Sequence, residues 1–205
     1  MNSLSISGKN WILKKYNQDN LNFIKKNFYL DEITSKSLSL RKIKEDEINS
    51  FLNPLIKNFI PNPNDLIDMR KTTVRTIEII LNKEKIGIFG DYDVDGATST
   101  ALLGNYFSEL NLKYEIYIPD RKTEGYGPSI EGFKKLIKKG VKVIFTVDCG
   151  TLSFDAINYA KKNDIDVMVI DHHQSEVKLP DAFSILNVNR LDDKSNLQYL
   201  CAAGV

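Results

Sequence analysis

The sequence contains few of the features that mark disulfide-rich, secreted or membrane proteins. It has only two cysteines, Cys149 and Cys201, and neither belongs to a C-x-x-C pattern, so neither a disulfide framework nor a cysteine-based zinc site is predicted. No stretch approaches the roughly 18 consecutive apolar residues of a membrane-spanning helix. The start, "MNSLSISGKNWILKK", has no apolar core of a secretory signal. We therefore expect a soluble cytoplasmic protein with reduced thiols.

An excess of charge of one sign is also missing. Lysine and arginine number 28 and aspartate and glutamate 27, which gives a net charge of +1. No global field then attracts nucleic acid, so a polyanionic partner must be held by a local site. The 205 residues, of which 42% are hydrophobic, suit one large domain with or without an extension.

The pattern of the chain predicts an α/β fold. Predicted strands, rich in Val and Ile, occupy residues 85–92, 113–120, 141–148, 165–171 and 183–188. Helix-like stretches separate the first four, and a further helix, in which Val74, Ile77 and Leu81 follow helical spacing, precedes them. This alternation is typical of a parallel sheet with helices on both faces. The breaker cluster "PNPND" predicts a boundary between a helical N-terminal extension, 1–65, and the α/β domain, 66–205.

Acidic side chains and the only two histidines follow three of the predicted strands. In chain order they are Asp91, Asp93 and Asp95 in "GDYDVDG", Asp148 in "VDCG", and Asp171, His172 and His173 in "VIDHH". The carboxyl ends of parallel strands meet at one edge of a sheet, where such folds bind ligands. We expect these side chains to converge there.

Electrostatics indicates what such a cluster requires. Carboxylates on alternate residues of an extended segment lie about 7 Å apart and repel by roughly 2 kcal/mol at an effective dielectric constant near 20. No lysine or arginine adjoins the three motifs, so the cluster either protonates or binds cations. Carboxylate and imidazole ligands suit Mn²⁺ or Mg²⁺ and argue against structural zinc. Taken singly, the first motif could be a solvated turn, Asp148 a helix cap, and each histidine a surface or core residue.

The three motifs resemble those of the DHH phosphoesterase superfamily. "FLNP" followed by "LIDM", "IFGDYDVDGATSTALL", "IPDRKTEGYGPS" and "LCAAGV" further resemble the RecJ branch, the single-stranded-DNA-specific exonucleases of bacteria. The resemblance covers the chain from about residue 30. It implies a metal-dependent 5′→3′ exonuclease that releases 5′-mononucleotides in DNA repair and recombination, with a helicase and a single-strand-binding protein as partners.

The resemblance also implies residue roles. One Mn²⁺ or Mg²⁺ ion would be held by Asp95, Asp148 and His172, and a second by Asp91 and Asp93, with Asp148 bridging the two. His173 would contact the scissile phosphate and Asp171 would orient a histidine. Arg121 and Tyr126 would bind substrate, although a glycine-rich turn with a satisfied arginine–glutamate pair explains that loop equally well.

Complete members of the branch carry a further aspartate in a "TVADV"-like strand, a DHHA1 domain and an OB domain, and none of these is in the sequence. The end, "LQYLCAAGV", is predicted to be the first turns of an apolar helix. We therefore expect an N-terminal fragment that is a poor nuclease by itself.

Two other functions stay open. Relatives that hydrolyse short oligonucleotides, cyclic dinucleotides or pyrophosphate typically carry H-x-x-P-D-x-D, and Phe89 stands where that histidine would be. A non-catalytic DHH-fold scaffold usually loses ligands, whereas this sequence keeps every ligand that its length permits. A dinucleotide-binding Rossmann domain is rejected because the first strand is followed by aspartates and not by G-x-G-x-x-G.

Overall fold

The computed structural model describes residues 5–12 and 14–205. They form two compact units, of which the first ends at Ile60 and the second comprises Pro61–Val205. The described part of the first unit contains the helices α1 (Gln18–Phe28), α2 (Glu32–Leu40), α3 (Ile48–Leu52) and α4 (Ile56–Phe59). Residues 1–4 and 13 of the predicted extension lie outside the described residues.

The first unit has capped helices and a small core. Asn17 and Asp31 accept hydrogen bonds from backbone N–H groups in the first turns of α1 and α2, which satisfies donors that a helix leaves unpaired. Ile24, Leu38 and Ile48 form a buried apolar cluster. This core is small.

The second unit is an α/β domain built on one five-stranded sheet. After a 3₁₀ turn at Pro63–Asp65, its elements are α5 (Met69–Asn82), β1 (Ile86–Phe89), α6 (Val94–Glu109), β2 (Tyr114–Tyr117), α7 (Ile130–Lys138), β3 (Val143–Val147), α8 (Phe154–Lys161), β4 (Asp166–Asp171) and β5 (Ser184–Asn187). All neighbouring strands are parallel, in the order β2–β1–β3–β4–β5. The predicted fold class is confirmed.

Apolar layers cover both faces of this sheet. On one face Phe89 and Ile144 pack with Phe133 of α7 and Ile157 of α8. On the other, the strands pack against α5 and α6, through residues that include Ile79 and Phe107. Every residue of β1 and β3 is buried, which explains why their sequences are almost continuously apolar. Fully burying each large apolar side chain contributes about 1.5–3 kcal/mol.

Helix α5 forms as predicted, but its spaced apolar residues do not face the sheet. Val74, Ile77 and Leu81 are at least half exposed. The buried side of the helix is partly polar, because the Thr72 hydroxyl donates to Ser184 Oγ at 2.7 Å. The same helix is also tied to the sheet through Arg75, which pairs with Glu84 and Asp166.

The strand order places a crevice between the motif that follows β1 and the motif that follows β3. The chain runs from β1 to β2 in one direction and then crosses back past β1 to β3, so the order reverses between β1 and β3. Ligands bind outside the carboxyl ends of the strands at such a switch point. The segment "LCAAGV" forms a 3₁₀ turn at Ala202–Gly204 and not the expected α-helix. None of the helices that the structure describes combines the length and apolar character needed to cross a bilayer.

Candidate metal centre

Three loops, after β1, β3 and β4, bring the predicted ligands together. Two sets of side chains each place their ligand atoms within 4.8 Å of one another. The first set is Asp91, Asp93 and Asp148, and the second is Asp148, His172 and His173. Asp148 belongs to both sets and is therefore the centre of the cluster.

Asp148 is buried without a hydrogen-bond partner. Only 1% of its surface is exposed, and within the described part of the chain neither carboxylate oxygen accepts a hydrogen bond. Burial, together with the carboxylates of Asp95 and Asp93, raises the pKa of Asp148 to about 7. A buried anion without a partner is costly, and a cation between these oxygens would remove that cost. The residues therefore fit a divalent ion.

The backbone after β3 aims Asp148 into the crevice. Asp148 has a φ of 60°, in the left-handed region, and Gly150 follows with a φ of 114°. A side chain at position 150 would meet Thr146 Oγ1 at 2.5 Å, so only glycine fits. This tight turn fixes the direction of the carboxylate.

Asp91 and Asp93 differ in charge behaviour. Burial and the neighbouring Asp93 raise the pKa of Asp91, whose Oδ1 accepts from the N–H of Tyr92 at 2.8 Å. Asp93 caps α6, and the hydrogen bond from Gly96 N–H at 2.9 Å lowers its pKa. Asp93 is therefore the readily ionised member of the first set.

His172 lies between two carboxylates. Its Nε2 atom is 3.2 Å from Asp148 Oδ1 and 3.5 Å from Asp95 Oδ2. The Asp95 carboxylate also accepts hydrogen bonds from the backbone N–H groups of Ala202 (2.7 Å) and Ala203 (2.9 Å). Asp95, in the first turn of α6, belongs to neither close set, so the structure places this predicted ligand at the edge of the site, where it is bonded to the 3₁₀ turn.

Asp171 points at a histidine and away from the close carboxylates. It is 1% exposed, and its Oδ1 accepts from His173 Nδ1 at 2.7 Å. Burial alone would raise the pKa of Asp171, but hydrogen bonds from His173 and Thr151 outweigh it and lower the pKa to about 2. The same contact raises the pKa of His173. A charged carboxylate thus holds a readily protonated imidazole.

The loop after β2 also reaches the site. The Tyr126 hydroxyl donates to the Asp148 carbonyl oxygen at 3.1 Å and lies 3.3 Å from both ring nitrogens of His173. Burial raises the pKa of Tyr126, so the phenol stays protonated. The Arg121 guanidinium lies 5.3 Å from the centre of the Tyr92 ring.

The alternative arginine–glutamate pair in this loop is wrong. Among the residues the structure describes, Glu124 pairs with Lys135 at 3.5 Å and accepts a short hydrogen bond from Tyr117. Arg121 is not its partner. Its guanidinium lies near the Tyr92 ring instead.

Two residues of the site were missed from the sequence, Thr151 and Asn187. Thr151 donates through its hydroxyl to Asp171 Oδ2 at 2.6 Å, and Asn187 Nδ2 donates to Thr151 Oγ1 at 2.7 Å. The signal that could have found Asn187 is its place at the end of the fifth apolar run, "FSILNV", at the same sheet edge as the other motifs.

Comparison with known proteins relates the second unit to one family. The family described as "DHH family, N-terminal domain" matches residues 85–205. The single-stranded-DNA-specific exonuclease RecJ of Bacillus subtilis (strain 168) is 31% identical over 178 residues, which are 86% of this chain and 22% of that protein. The same enzyme of Haemophilus influenzae is 40% identical over 129 residues, 62% of this chain and 22% of that protein. The chain spans about a fifth of the length of these relatives.

The solved structures that resemble this chain include structures of RecJ. A crystal structure of exonuclease RecJ bound to manganese superposes with a TM-score of 0.62 at 28% identity, over 68% of this chain and 35% of that one. RecJ from Thermus thermophilus in complex with Mn²⁺ gives a TM-score of 0.68 at 21% identity, over 94% of this chain and 26% of that one. The second likeness concerns the fold alone.

Proposed function

Because this chain belongs to the DHH family, we propose that its second unit supplies the divalent-metal centre of a RecJ-type exonuclease acting on single-stranded DNA. The observation that carries the proposal is the Asp148 carboxylate, which is buried, accepts no hydrogen bond from the described residues and is shared by both close sets. Buried carboxyl groups with strongly shifted pKa values cluster at functional sites.

We assign the ligands by their places in the site. Asp91, Asp93 and Asp148 would hold one Mn²⁺ or Mg²⁺ ion, and Asp148 and His172 would hold a second, with Asp95 beside it as a further ligand. When bound, such ions activate a water and offset the charge of the phosphate that is cleaved. The buried Asp148 is the group expected to bridge the two.

The remaining residues act on the phosphate directly or through a neighbour. His173 Nδ1 is engaged by Asp171, so the other ring nitrogen, Nε2, is the one that can donate to a phosphate oxygen. Tyr126 stands beside this imidazole and is about half exposed, while Arg121, over the Tyr92 ring, supplies positive charge near Asp91. We propose that these groups orient the scissile phosphodiester.

The finer activity is a proposal that rests on the resemblance of the sequence motifs. We propose 5′→3′ digestion with release of 5′-mononucleotides, in DNA repair and recombination in the cytoplasm, with a helicase and a single-strand-binding protein as partners. The relatives that match are named as single-stranded-DNA-specific exonucleases, which supports the substrate class. Phe89 lies fully buried in the core, which disfavours a relative that uses a histidine ligand at that place.

Calorimetric titration of the chain with Mn²⁺ tests the centre. We expect binding by the unaltered chain, loss of it in an Asp93→Asn, Asp148→Asn double variant, and no change in Asp155→Asn, a matched control at an exposed position in the first turn of α8. A scaffold without a metal site would show no difference between the two variants.

An assay of the intact protein in the presence of Mn²⁺ tests the substrate class. Long single strands, dinucleotides and pyrophosphate are offered in parallel. Preference for single strands supports the proposal. Preference for pyrophosphate would refute the RecJ-type assignment while leaving the metal centre in place.

A further inference from the structure

Two buried polar side chains connect β5 to the imidazole of His173. Asn187 Nδ2 donates to Thr151 Oγ1 at 2.7 Å, and Thr151 Oγ1 donates to Asp171 Oδ2 at 2.6 Å. Asp171 Oδ1 then accepts from His173 Nδ1 at 2.7 Å. A second hydrogen bond of Asn187, from Nδ2 to the His173 carbonyl oxygen at 2.9 Å, closes the loop.

The orientation of every group in this chain of hydrogen bonds is determined. Asn187 Oδ1 accepts from Asn189 N–H at 2.7 Å, so the amide nitrogen of Asn187 must face Thr151 and His173. The Thr151 hydroxyl receives that donor and must direct its own proton at Asp171. Asp171 Oδ2 accepts from Thr151, and its Oδ1 already accepts from the backbone N–H groups of His172 and His173, so this carboxylate acts as the acceptor and His173 Nδ1 as the donor.

Burial makes this arrangement rigid. Thr151 and Asn187 are each 2% exposed, and Asp171 is 1% exposed. Water therefore cannot replace a lost partner without opening the core, and an unsatisfied buried donor or acceptor is costly. Asn189 adds to the same effect, because its amide donates to the His172 carbonyl oxygen.

We propose that Asn187 and Thr151 are positioning residues for His173. They fix Asp171 in the rotamer that accepts the Nδ1 proton, which leaves Nε2, beside the Tyr126 hydroxyl, free of Asp171. The inference rests on the proposed role of His173 at the phosphate, and it extends that role to residues on β5 and on the loop after β3.

The composition of the chain makes a direct test practical, because it has only two histidines. Proton NMR of the metal-free chain in EDTA, with His172→Gln for assignment, gives the resonance of the His173 Nδ1 proton and its exchange rate with water. Thr151→Val removes the hydroxyl at nearly constant shape, whereas Thr151→Ser keeps the hydroxyl. Asn187→Ala removes the side-chain amide.

We expect exchange of the Nδ1 proton to accelerate by about tenfold or more in Thr151→Val and Asn187→Ala, the size of effect for a hydrogen bond to a charged group. Thr151→Ser should stay close to the unaltered chain. Unchanged exchange in a folded Asn187→Ala variant would overturn the proposal, and that variant also decides if Thr151→Val does not fold. Because the experiment is free of metal, its failure is distinct from absence of Mn²⁺ binding, which would refute the proposed function.

Discussion

Replacing Asp148 by asparagine should stabilise the metal-free chain and abolish its stabilisation by Mn²⁺. The carboxylate is buried, and its pKa rises from the ordinary 3.8 to about 7 because of burial and the carboxylates of Asp95 and Asp93. The Asp148 carboxylate thus binds a proton more tightly in the folded chain than in the unfolded chain. Ionisation of Asp148 therefore lowers the free energy of unfolding as the pH rises from about 4 to about 7.

The size of this effect follows from the two pKa values. Each tenfold difference in proton affinity corresponds to about 1.4 kcal/mol, so a change from 3.8 to about 7 costs about 4 kcal/mol once Asp148 is ionised. Asparagine has nearly the same shape and carries no charge, so the variant escapes this cost. An ion at one hundred times its Kd adds about 2.7 kcal/mol to the free energy of unfolding, and the variant should lose that gain.

Urea denaturation at several pH values between about 4 and 8, in EDTA and in MnCl₂, measures both effects. In EDTA the free energy of unfolding should fall with pH by about 4 kcal/mol less in Asp148→Asn than in the unaltered chain. In MnCl₂ at pH 8 the free energies of unfolding of the two proteins should become similar, or that of the unaltered chain should become the larger. Parallel pH profiles in EDTA, or full Mn²⁺ stabilisation of the variant, would show that the charge at position 148 does not have the role assigned to it.

Three further outcomes are expected. Asp95→Asn should lower the free energy of unfolding by about 1–2 kcal/mol in EDTA, because the carboxylate accepts two backbone N–H groups of the 3₁₀ turn, and an unchanged urea midpoint would contradict that anchoring role. Gly150→Ala should lower the free energy of unfolding by about 1–3 kcal/mol or more, since the backbone φ is 114° and the new methyl group would meet Thr146 Oγ1. Thermal unfolding that matches the unaltered chain would contradict this strain at position 150. A thiol reagent should modify the exposed Cys201 and spare Cys149, which is buried and whose pKa burial raises; mass spectrometry of the labelled native chain locates the adduct, and rapid labelling of both thiols would mean an open core.

The sheet was predictable because its central strands, β1 and β3, are almost continuously apolar. A central parallel strand is buried on both faces, so it leaves a nearly continuous apolar run such as "VIFTV" between polar breakers. The convergence of Asp91, Asp93, Asp148 and the two histidines followed from the same source, since each motif stands where such a run ends.

The features that could not be predicted depend on which elements become neighbours. Asn187 reaches Thr151 only because β5 pairs with β4, and the strand order is not written in local sequence. The outward direction of Val74 and Ile77 likewise depends on Arg75, which ties the opposite face of α5 to Asp166. Helical spacing identifies a helix but does not tell which of its faces will meet the sheet.

The left-handed backbone at Asp148 restricts what can replace this residue during evolution. Glycine, asparagine and aspartate adopt a positive φ at the lowest cost, and of these only aspartate carries a charge. The substitutions that disturb the fold least therefore lead to Asn or Gly, and they remove the anion in a single step. Descendants that lost this carboxylate would be well-folded proteins, recognisable by one of those two residues directly after β3.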